Sequence, residues 1–127
     1  MAPSCAEVIY KHLSETNRKS SYYDLILTGD LGEFGIKIVK EYLKKKYNIK
    51  LDNVIDSGTI FYQSENIYAG ASGPACLPLV LFDYILPQNK YKKILIVGTG
   101  SLHSTLSTNL NIPIPSISHA LSLEVTK

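Results

Sequence analysis

The chain has 127 residues, of which 45% are hydrophobic and 19% are charged, and its formal net charge is +2. This composition is typical of one globular domain spanning residues 1–127, and the length is sufficient for one hydrophobic core. No run of about 18 or more apolar residues occurs, and the first residues lack an apolar core behind basic residues. We therefore expect neither a membrane span nor a secretion signal.

The basic residues are concentrated on one predicted helix and just after it. The six lysines of this group are Lys37, Lys40, Lys44, Lys45, Lys46 and Lys50. A solvated helix face explains such a row, and a weak contact with an anionic surface is the alternative. No arginine cluster or nucleic-acid-binding motif accompanies the lysines, so nucleic acid is not an expected partner.

The two cysteines, Cys5 and Cys76, lack the spacing of a metal-binding knuckle and the density of a disulfide-rich secreted domain. We expect no protein metal site from them. This cysteine usage indicates a reducing, cytoplasmic compartment.

In chain order, the first half of the sequence predicts a helix, a strand, a turn and a second helix. Apolar residues at helical spacing predict the first helix over residues 4–16, with Ser4 as its cap. Residues 23–28 predict a short strand, and residues 33–47 predict the second helix after a glycine turn. The core stripe predicted for the second helix consists of Phe34, Ile36, Ile38, Val39, Tyr42 and Leu43.

The middle of the chain is less regular. Residues 54–55 and 59–62 predict short extended pieces on either side of a loop at 56–58. A helix is predicted after Ser72. We expect it to kink near Pro78, because a proline beyond the first turn removes a backbone hydrogen bond.

The last third predicts two strands. The apolar run at residues 93–97 predicts a strand buried on both faces, which runs into a second glycine turn. Residues 106–115 predict a turn-rich connection. Residues 117–125 alternate like a final strand, with one face made of Ile117, His119, Leu121 and Leu123.

Short motifs along the chain resemble the stage V sporulation protein AD family of the thiolase and ketoacyl-synthase superfamily. They include Met1-Ala2-Pro3, Thr28-Gly29-Asp30-Leu31-Gly32, Ala69-Gly70-Ala71-Ser72-Gly73 with Cys76, Thr99-Gly100 with Ser104, and His119-Ala120 with Glu124. The resemblance covers nearly the whole chain and aligns it with the C-terminal half of these longer proteins. It implies that the chain is a fragment or one half of a split protein.

The resemblance implies an α/β, thiolase-like fold, with a mixed central sheet of about four to five strands flanked by three helices. Related synthases place a catalytic histidine after the first strand and an asparagine in the glycine turn before the proline-containing helix. This chain has Gly29 or Asp30 near the histidine position and Ala71 at the asparagine position. Because losing one neutral donor to the enolate typically costs about a hundredfold or more in rate, we expect no catalytic residues and no enzymatic activity.

The family binds dipicolinate, a flat aromatic dicarboxylate, during its import into the forespore of endospore-forming Firmicutes. Backbone amides, hydroxyls and an imidazole in turns suit such a ligand. The resemblance and the position of these turns at strand ends suggest eight ligand-binding candidates. They are Thr28, Gly29, Asp30, Gly70, Ser72, Gly73, Cys76 and His119.

For several of these candidates, a structural role is the alternative to ligand binding. The glycine turn could serve only tight strand-to-helix packing, and Asp30 could either cap the second helix or hold a calcium ion that accompanies dipicolinate. His119 could be a hydrogen-bonded core residue instead of a ligand group, although imidazoles titrate near neutrality. Cys76 is interpreted as a packing residue. His12 on the first helix is expected at the surface, and His103 is a weaker candidate.

No cofactor is expected beyond dipicolinate as ligand, with or without calcium. The partners that the resemblance implies are other subunits of the spore dipicolinate channel complex and the missing N-terminal half, and self-association is also expected. The implied location is cytoplasmic and peripheral to the inner forespore membrane. An acyltransferase, or a structural module that docks to another subunit, is the alternative function.

Overall fold

A computed structural model describes residues 1–62, 70, 73–102 and 104–125. Its helices are α1 (Ala2–Glu15), α2 (Gly32–Tyr47), α3 (Ser57–Phe61), α4 (Cys76–Leu79) and α5 (Thr105–Asn109). Its strands are β1 (Leu25–Thr28), β2 (Val54–Asp56), β3 (Lys93–Ser101) and β4 (Ser116–Glu124). No helix in these ranges is long and apolar enough to cross a lipid bilayer.

The four strands form one mixed sheet in the order β2-β1-β3-β4. The central strand β1 runs parallel to both β2 and β3, whereas β4 pairs antiparallel with β3 along nine residues. The predicted α/β class and mixed sheet are therefore confirmed. Two short helices, α3 and α5, add to the three that were predicted.

The central strands β1 and β3 are covered on both faces, which explains their continuous apolar runs. All four residues of β1 are buried. On one face, Ile26 packs with Leu95 and Val97 beneath α1 and α2. On the other face, Leu25 and Leu27 pack with the segment that α4 begins.

Helix α1 begins earlier than predicted, at Ala2, with Pro3 in its first turn, where a proline costs no helical hydrogen bond. The predicted cap at Ser4 is wrong, because Met1 is the N-cap residue and no side chain caps this helix. The Ser4 hydroxyl instead lies 2.5 Å from the hydroxyl of Ser116 at the start of β4.

The residues after α1 join it to the far end of β4. The Arg18 guanidinium donates to the Tyr23 hydroxyl at 2.9 Å and forms an ion pair with Glu124 at 3.1 Å. His12 is half-buried and its Nε2 lies 2.5 Å from the same Tyr23 hydroxyl, so the predicted surface position of His12 is wrong. Burial and the neighbouring Arg18 charge lower the pKa of His12.

Helix α2 buries a narrower stripe than predicted. Val39 and Leu43 are fully buried, but Phe34 and Ile38 are 53% and 51% exposed. The latter two lie roughly 100–140° around the helix axis from Val39, because each residue advances about 100°. Since β1 and β2 beneath α2 are short, only one stripe of the helix meets the core.

Residues 59–62 were predicted to be extended, and this prediction is wrong. Residues 57–61 form α3, whose N-cap is Asp56. The Asp56 carboxylate accepts the Gly58 N–H at 3.1 Å, and the Thr59 hydroxyl donates to the Asp56 carbonyl at 2.7 Å. These local bonds favour a helical turn over an extended one.

The helix that contains Pro78 changes its hydrogen-bonding pattern just after the proline, near which a kink was predicted. The described α-helical part, α4, ends at Leu79 and continues as π-type turns over Val80–Ile85 and a 3-10 turn over Leu86–Gln88. The change of hydrogen-bonding pattern follows Pro78 directly. A proline inside a helix lacks the N–H that a regular turn needs.

The connection to β4 contains a short helix, α5, within the stretch predicted as turn-rich. Its N-cap, Ser104, accepts the Ser107 N–H at 3.4 Å. Strand β4 itself is confirmed, but its apolar face is covered only at Leu123, which packs against the core. Ile117 and Leu121 are 60% and 63% exposed, whereas Ser118 is buried.

Candidate functional site

A crevice of about 280 Å³ lies at the carboxyl ends of β1 and β3. In parallel sheets, ligands commonly bind beyond these ends of the strands. The described lining residues are Gly29 and Asp30 after β1, Gly73, Pro74 and Leu77 around the start of α4, Gly98, Thr99 and Gly100 of β3, and Ile117 and His119 of β4.

The floor of the crevice depends on close approach between β1 and β3. The Gly29 N–H donates to the Val97 carbonyl at 2.9 Å, which extends the pairing one residue beyond β1. A Cβ at Gly29 would lie 2.7 Å from the Thr99 Oγ1. A larger residue at position 29 would therefore push the two strand ends apart.

Asp30 is packed tightly between two glycines. A Cβ at Gly70 would overlap the Asp30 carbonyl oxygen, and a Cβ at Gly58 would overlap its Oδ1. The predicted cap role of Asp30 is wrong, because Leu31 is the N-cap residue of α2 and no side chain at that position caps the helix. Asp30 instead lies in the wall of the crevice.

The carboxylate that orders this region is Asp56, which the sequence analysis placed in a loop. Asp56 is only 2% exposed. Its Oδ1 accepts the Thr28 hydroxyl at 2.7 Å and the Leu31 N–H at 3.0 Å, and its Oδ2 accepts the Gly32 N–H at 3.1 Å. Burial raises the pKa of Asp56, and these hydrogen bonds oppose the rise.

Thr28 therefore supports the crevice from behind and does not line it. It is fully buried and its hydroxyl donates to Asp56. Its carbonyl accepts the Ser57 hydroxyl at 2.6 Å. Through Thr28, Asp56 and Ser57, the ends of β1 and β2 and the starts of α2 and α3 are joined in one buried polar network.

His119 lies at the mouth of the crevice, opposite Gly98 in the β3–β4 register. It is exposed, so its interpretation as a hydrogen-bonded core residue is wrong. The alternation of β4 correctly placed it on one face with Ile117 and Leu121, but that face is open. Asp30 and His119 are the two titratable side chains among the described residues of the lining.

Thr99, which was named as part of a family motif but not among the ligand-binding candidates, adds a hydroxyl to the crevice region. Its Oγ1 is buried and has no hydrogen-bond partner within the described part of the chain. A buried hydroxyl normally finds a partner, so this atom is available for one. The spacing Gly98-Thr99-Gly100 at a strand end was the signal that could have identified it.

The eight predicted candidates thus fall into three groups. Gly29, Asp30, Gly73 and His119 line the crevice, whereas Thr28, Gly70 and Cys76 lie outside its described lining. Ser72 is outside the described residues, as are Ala71 and His103. Gly73 has a φ of +75°, a conformation that strongly favours glycine.

Neither cysteine is presented to solvent. Cys76 is 2% exposed and packs with Val80 and Leu81 in the apolar cluster beneath the sheet, which agrees with its predicted packing role. Cys5 is fully buried, and burial raises its pKa to about 12. Within the described ranges, no group of three or more His, Cys, Asp and Glu residues is arranged to hold a metal ion.

Comparisons with known proteins agree with the motifs in the sequence. The family model of Stage V sporulation protein AD matches residues 1–124. The chain is 36% identical, over 128 aligned residues, to the Stage V sporulation protein AD of Bacillus subtilis (strain 168). The alignment covers 98% of this chain but only 38% of that relative, so the chain spans about two fifths of the relative's length.

Proposed function

Because the chain belongs to the stage V sporulation protein AD family, we propose that it is a non-catalytic, thiolase-like domain that binds dipicolinate. In this role it supports import of the acid into the developing spore. The observation that carries the proposal is the glycine-lined crevice at the carboxyl ends of β1 and β3.

The size and lining of the crevice suit a small planar dicarboxylate. Its volume of about 280 Å³ lies just below the roughly 300–1,000 Å³ that is typical of drug-sized ligand sites. Gly98 and Gly100 leave the backbone of β3 open to a flat ring, because a Cβ at either position would have no neighbour nearer than 3.9 Å. The exposed His119 imidazole supplies a side-chain donor at the mouth.

Burial of Cys76 supports a binding role over acyl transfer. A nucleophilic thiol needs solvent access and a base within hydrogen-bond reach, and Cys76 lies in an apolar cluster. Gly29 or Asp30 stands near the position where related synthases have a histidine, and neither supplies an imidazole. Incubation with acyl-CoA should leave Cys76 unmodified by mass spectrometry, and an acyl group on it would favour the enzyme instead.

Isothermal titration calorimetry of the full chain with dipicolinate tests the proposal. Benzene-1,3-dicarboxylate is the matched control ligand, because it keeps both carboxylates and lacks the ring nitrogen. We expect heat of binding with dipicolinate and weaker binding of the control. Absence of heat with dipicolinate would overturn the proposal for this chain.

Two variants test whether dipicolinate binds in the crevice. His119→Gln removes the imidazole at the mouth, and we expect a loss of affinity of about tenfold, the size of one charge-assisted hydrogen bond. Leu121→Ser changes the next exposed residue on the same face, outside the described lining, and should leave affinity unchanged. Equal effects of the two variants would place the ligand elsewhere.

Calcium would enter the crevice with the acid. Calcium takes six to eight oxygen ligands, and Asp30 supplies only one carboxylate to the described lining. The remaining oxygens would come from dipicolinate and water. Titrations with and without calcium should therefore show no calcium binding until dipicolinate is added.

We further propose that the domain acts at the inner forespore membrane with other subunits of the dipicolinate channel complex. A specific observation favours docking: Phe82, Ile117 and Leu121 are 60–63% exposed. We expect these side chains to be covered by a polypeptide that corresponds to the part of the Bacillus subtilis relative outside the alignment. Copurification of that polypeptide with the chain tests this role.

A further inference from the structure

Three lysines form a row on the outward face of α2. Lys37, Lys40 and Lys44 are separated by three and four residues, so they lie on one side of the helix. All three are exposed. Within the described ranges, none of them has a carboxylate within ion-pair distance.

The neighbouring lysines are used differently. Lys45 pairs with Glu41 of the same helix at 3.0 Å, and Lys46 pairs with Glu7 of α1 at 2.7 Å. These pairs neutralise the flanks of α2. Glu33, exposed and four residues before Lys37, lies on the same side of the helix, so Lys37, Lys40 and Lys44 leave this side with a net positive charge facing outward.

Two large apolar side chains stand beside this row. Phe34 and Ile38 are 53% and 51% exposed, one turn apart on the helix. The Lys37 ammonium lies 5.4 Å from the centre of the Phe34 ring, so apolar and cationic groups occur at the same level. Lys37 and Lys40 also line a groove of about 340 Å³ between α2 and β2.

A surface that combines lysines with exposed apolar side chains on one helix is typical of proteins that lie on anionic membranes. The lysine stems pack beside apolar groups while their ammonium groups reach the phosphates. We propose that the α2 face, defined as Phe34, Lys37, Ile38, Lys40 and Lys44, binds the surface of a bilayer rich in anionic phospholipid. This inference rests on the peripheral membrane location proposed above, and it assigns the surface and the lipid chemistry.

The composition of the face favours a bilayer over nucleic acid or a phosphorylated protein. Those partners are recognised mainly through the paired donors of arginine. The chain has a single arginine, Arg18, which is engaged with Tyr23 and Glu124. Lysines act as flexible point charges, and Phe34 and Ile38 provide apolar area that a polyanion in water would not use.

Sedimentation with lipid vesicles tests the inference. We expect the full chain to bind phosphatidylcholine vesicles that contain 30% phosphatidylglycerol, and to release them at high salt. It should not bind vesicles of phosphatidylcholine alone. A lysine near an anionic surface strengthens binding by about fivefold, so the triple variant K37Q/K40Q/K44Q should bind about a hundredfold more weakly.

A matched triple variant, K19Q/K90Q/K92Q, removes three exposed lysines elsewhere and lowers the net charge by the same amount. It should keep most of the vesicle binding. Equal losses in the two triple variants would show that net charge alone is responsible, and would overturn the α2 face. Ile38→Ser should weaken binding several-fold at both low and high salt, because it removes apolar contact.

Two further outcomes decide between partners. If the chain binds soluble polyglutamate through Lys37, Lys40 and Lys44 but does not bind vesicles, the proposed bilayer partner is wrong and an acidic protein is favoured. If the chain reaches the membrane only through another subunit, the α2 face does not bind lipid, but the proposed membrane location still holds. Dipicolinate calorimetry is unaffected by these lysines, so failure of ligand binding and failure of membrane binding are distinguishable.

Discussion

The carboxylate of Asp56, at the end of β2, accepts the backbone N–H of Gly32, the first residue of α2, at 3.1 Å. The same carboxylate accepts the N–H groups of Leu31 and Gly58 at 3.0 and 3.1 Å. One side chain thus fixes the starts of α2 and α3. Both helices begin beside Asp30, so the wall of the crevice depends on Asp56.

Replacing Asp56 with Ala should destabilise the protein by about 2–4 kcal/mol, because three buried N–H groups and the Thr28 hydroxyl lose their acceptor. Urea unfolding at pH 7 measures this loss. Asp52→Asn is the matched control, because Asp52 is exposed and pairs with Lys50 at the surface. Its effect should be within about 0.5 kcal/mol. Wild-type stability of the Asp56 variant would contradict the capping role.

Glu7 should make the stability depend on pH in the acid range. Hydrogen bonds from Lys46, Tyr42 and Tyr47 lower the pKa of Glu7 from 4.5 to about 2. Its stabilising contribution is therefore present above about pH 4.5 and is lost as the pH falls towards 2. Asp56 acts in the opposite direction, because its pKa is raised in the folded protein.

Comparison with Glu7→Gln isolates this effect. At low salt, the variant should unfold at a lower urea concentration than the wild type at pH 7, and at nearly the same concentration at pH 2. Added salt should reduce the difference at pH 7, since Glu7 and Lys46 are accessible to solvent. A difference that is constant from pH 7 to pH 2 would exclude the predicted titration.

Gly70 should not tolerate a side chain. In Gly70→Ala the new Cβ would overlap the Asp30 carbonyl, so the backbone must shift, and we expect a loss of about 1–3 kcal/mol. Gly98→Ala is the control, because the nearest atoms to its Cβ would be 3.9 Å away. Thermal unfolding of both variants measures the difference. Similar melting temperatures would mean that residue 70 does not pack against Asp30.

Both thiols should react slowly with a disulfide reagent at pH 8. Cys5 and Cys76 are buried, and the pKa of Cys5 is raised to about 12. Labelling of the native chain should be more than about a hundredfold slower than labelling in urea. Fast reaction of Cys76 alone would show a solvent-accessible thiol next to the crevice and would reopen the acyltransferase interpretation.

The isolated chain should self-associate through its uncovered apolar residues. Phe82, Ile117 and Leu121 are all at least 60% exposed, and exposed apolar area of this kind marks a contact surface. Light scattering should give an average mass that rises with concentration. Ile117→Ser with Leu121→Ser should lower that mass, whereas a monodisperse wild-type monomer would contradict the prediction.

The sequence predicted the elements whose signals are local. The strands β1 and β3 were predicted from apolar runs, α1 from helical spacing, and β4 from alternation. It failed at residues 59–62, because the helical turn there depends on a cap from Asp56. That carboxylate is held in place by Thr28 and α2, which are distant in the sequence.

Only part of the candidate site was predicted, because the sequence shows local patterns but not long-range contacts. Gly29, named because it follows a strand, Gly73, named for its glycine turn, and His119, named from the resemblance, line one crevice. Alternation shows which residues of a strand share a face, but it does not show which face another layer covers. Alternation therefore left a core role open for His119, which the structure shows to be exposed, and the buried Asp56 was missed.

Helix α1 and the segment after it contact strand β4, which is distant in the sequence. Ser4 hydrogen-bonds Ser116, and Arg18 hydrogen-bonds Ser122 and forms an ion pair with Glu124. During synthesis, α1 leaves the ribosome more than a hundred residues before the strand against which it packs. Contacts so distant in sequence slow folding, because a long loop must close before they form. Helix α1 can pack against α2 earlier, because Ile9 and Leu13 share a buried cluster with Val39 and Leu43, but its contacts with β4 form only after β4 has been synthesised.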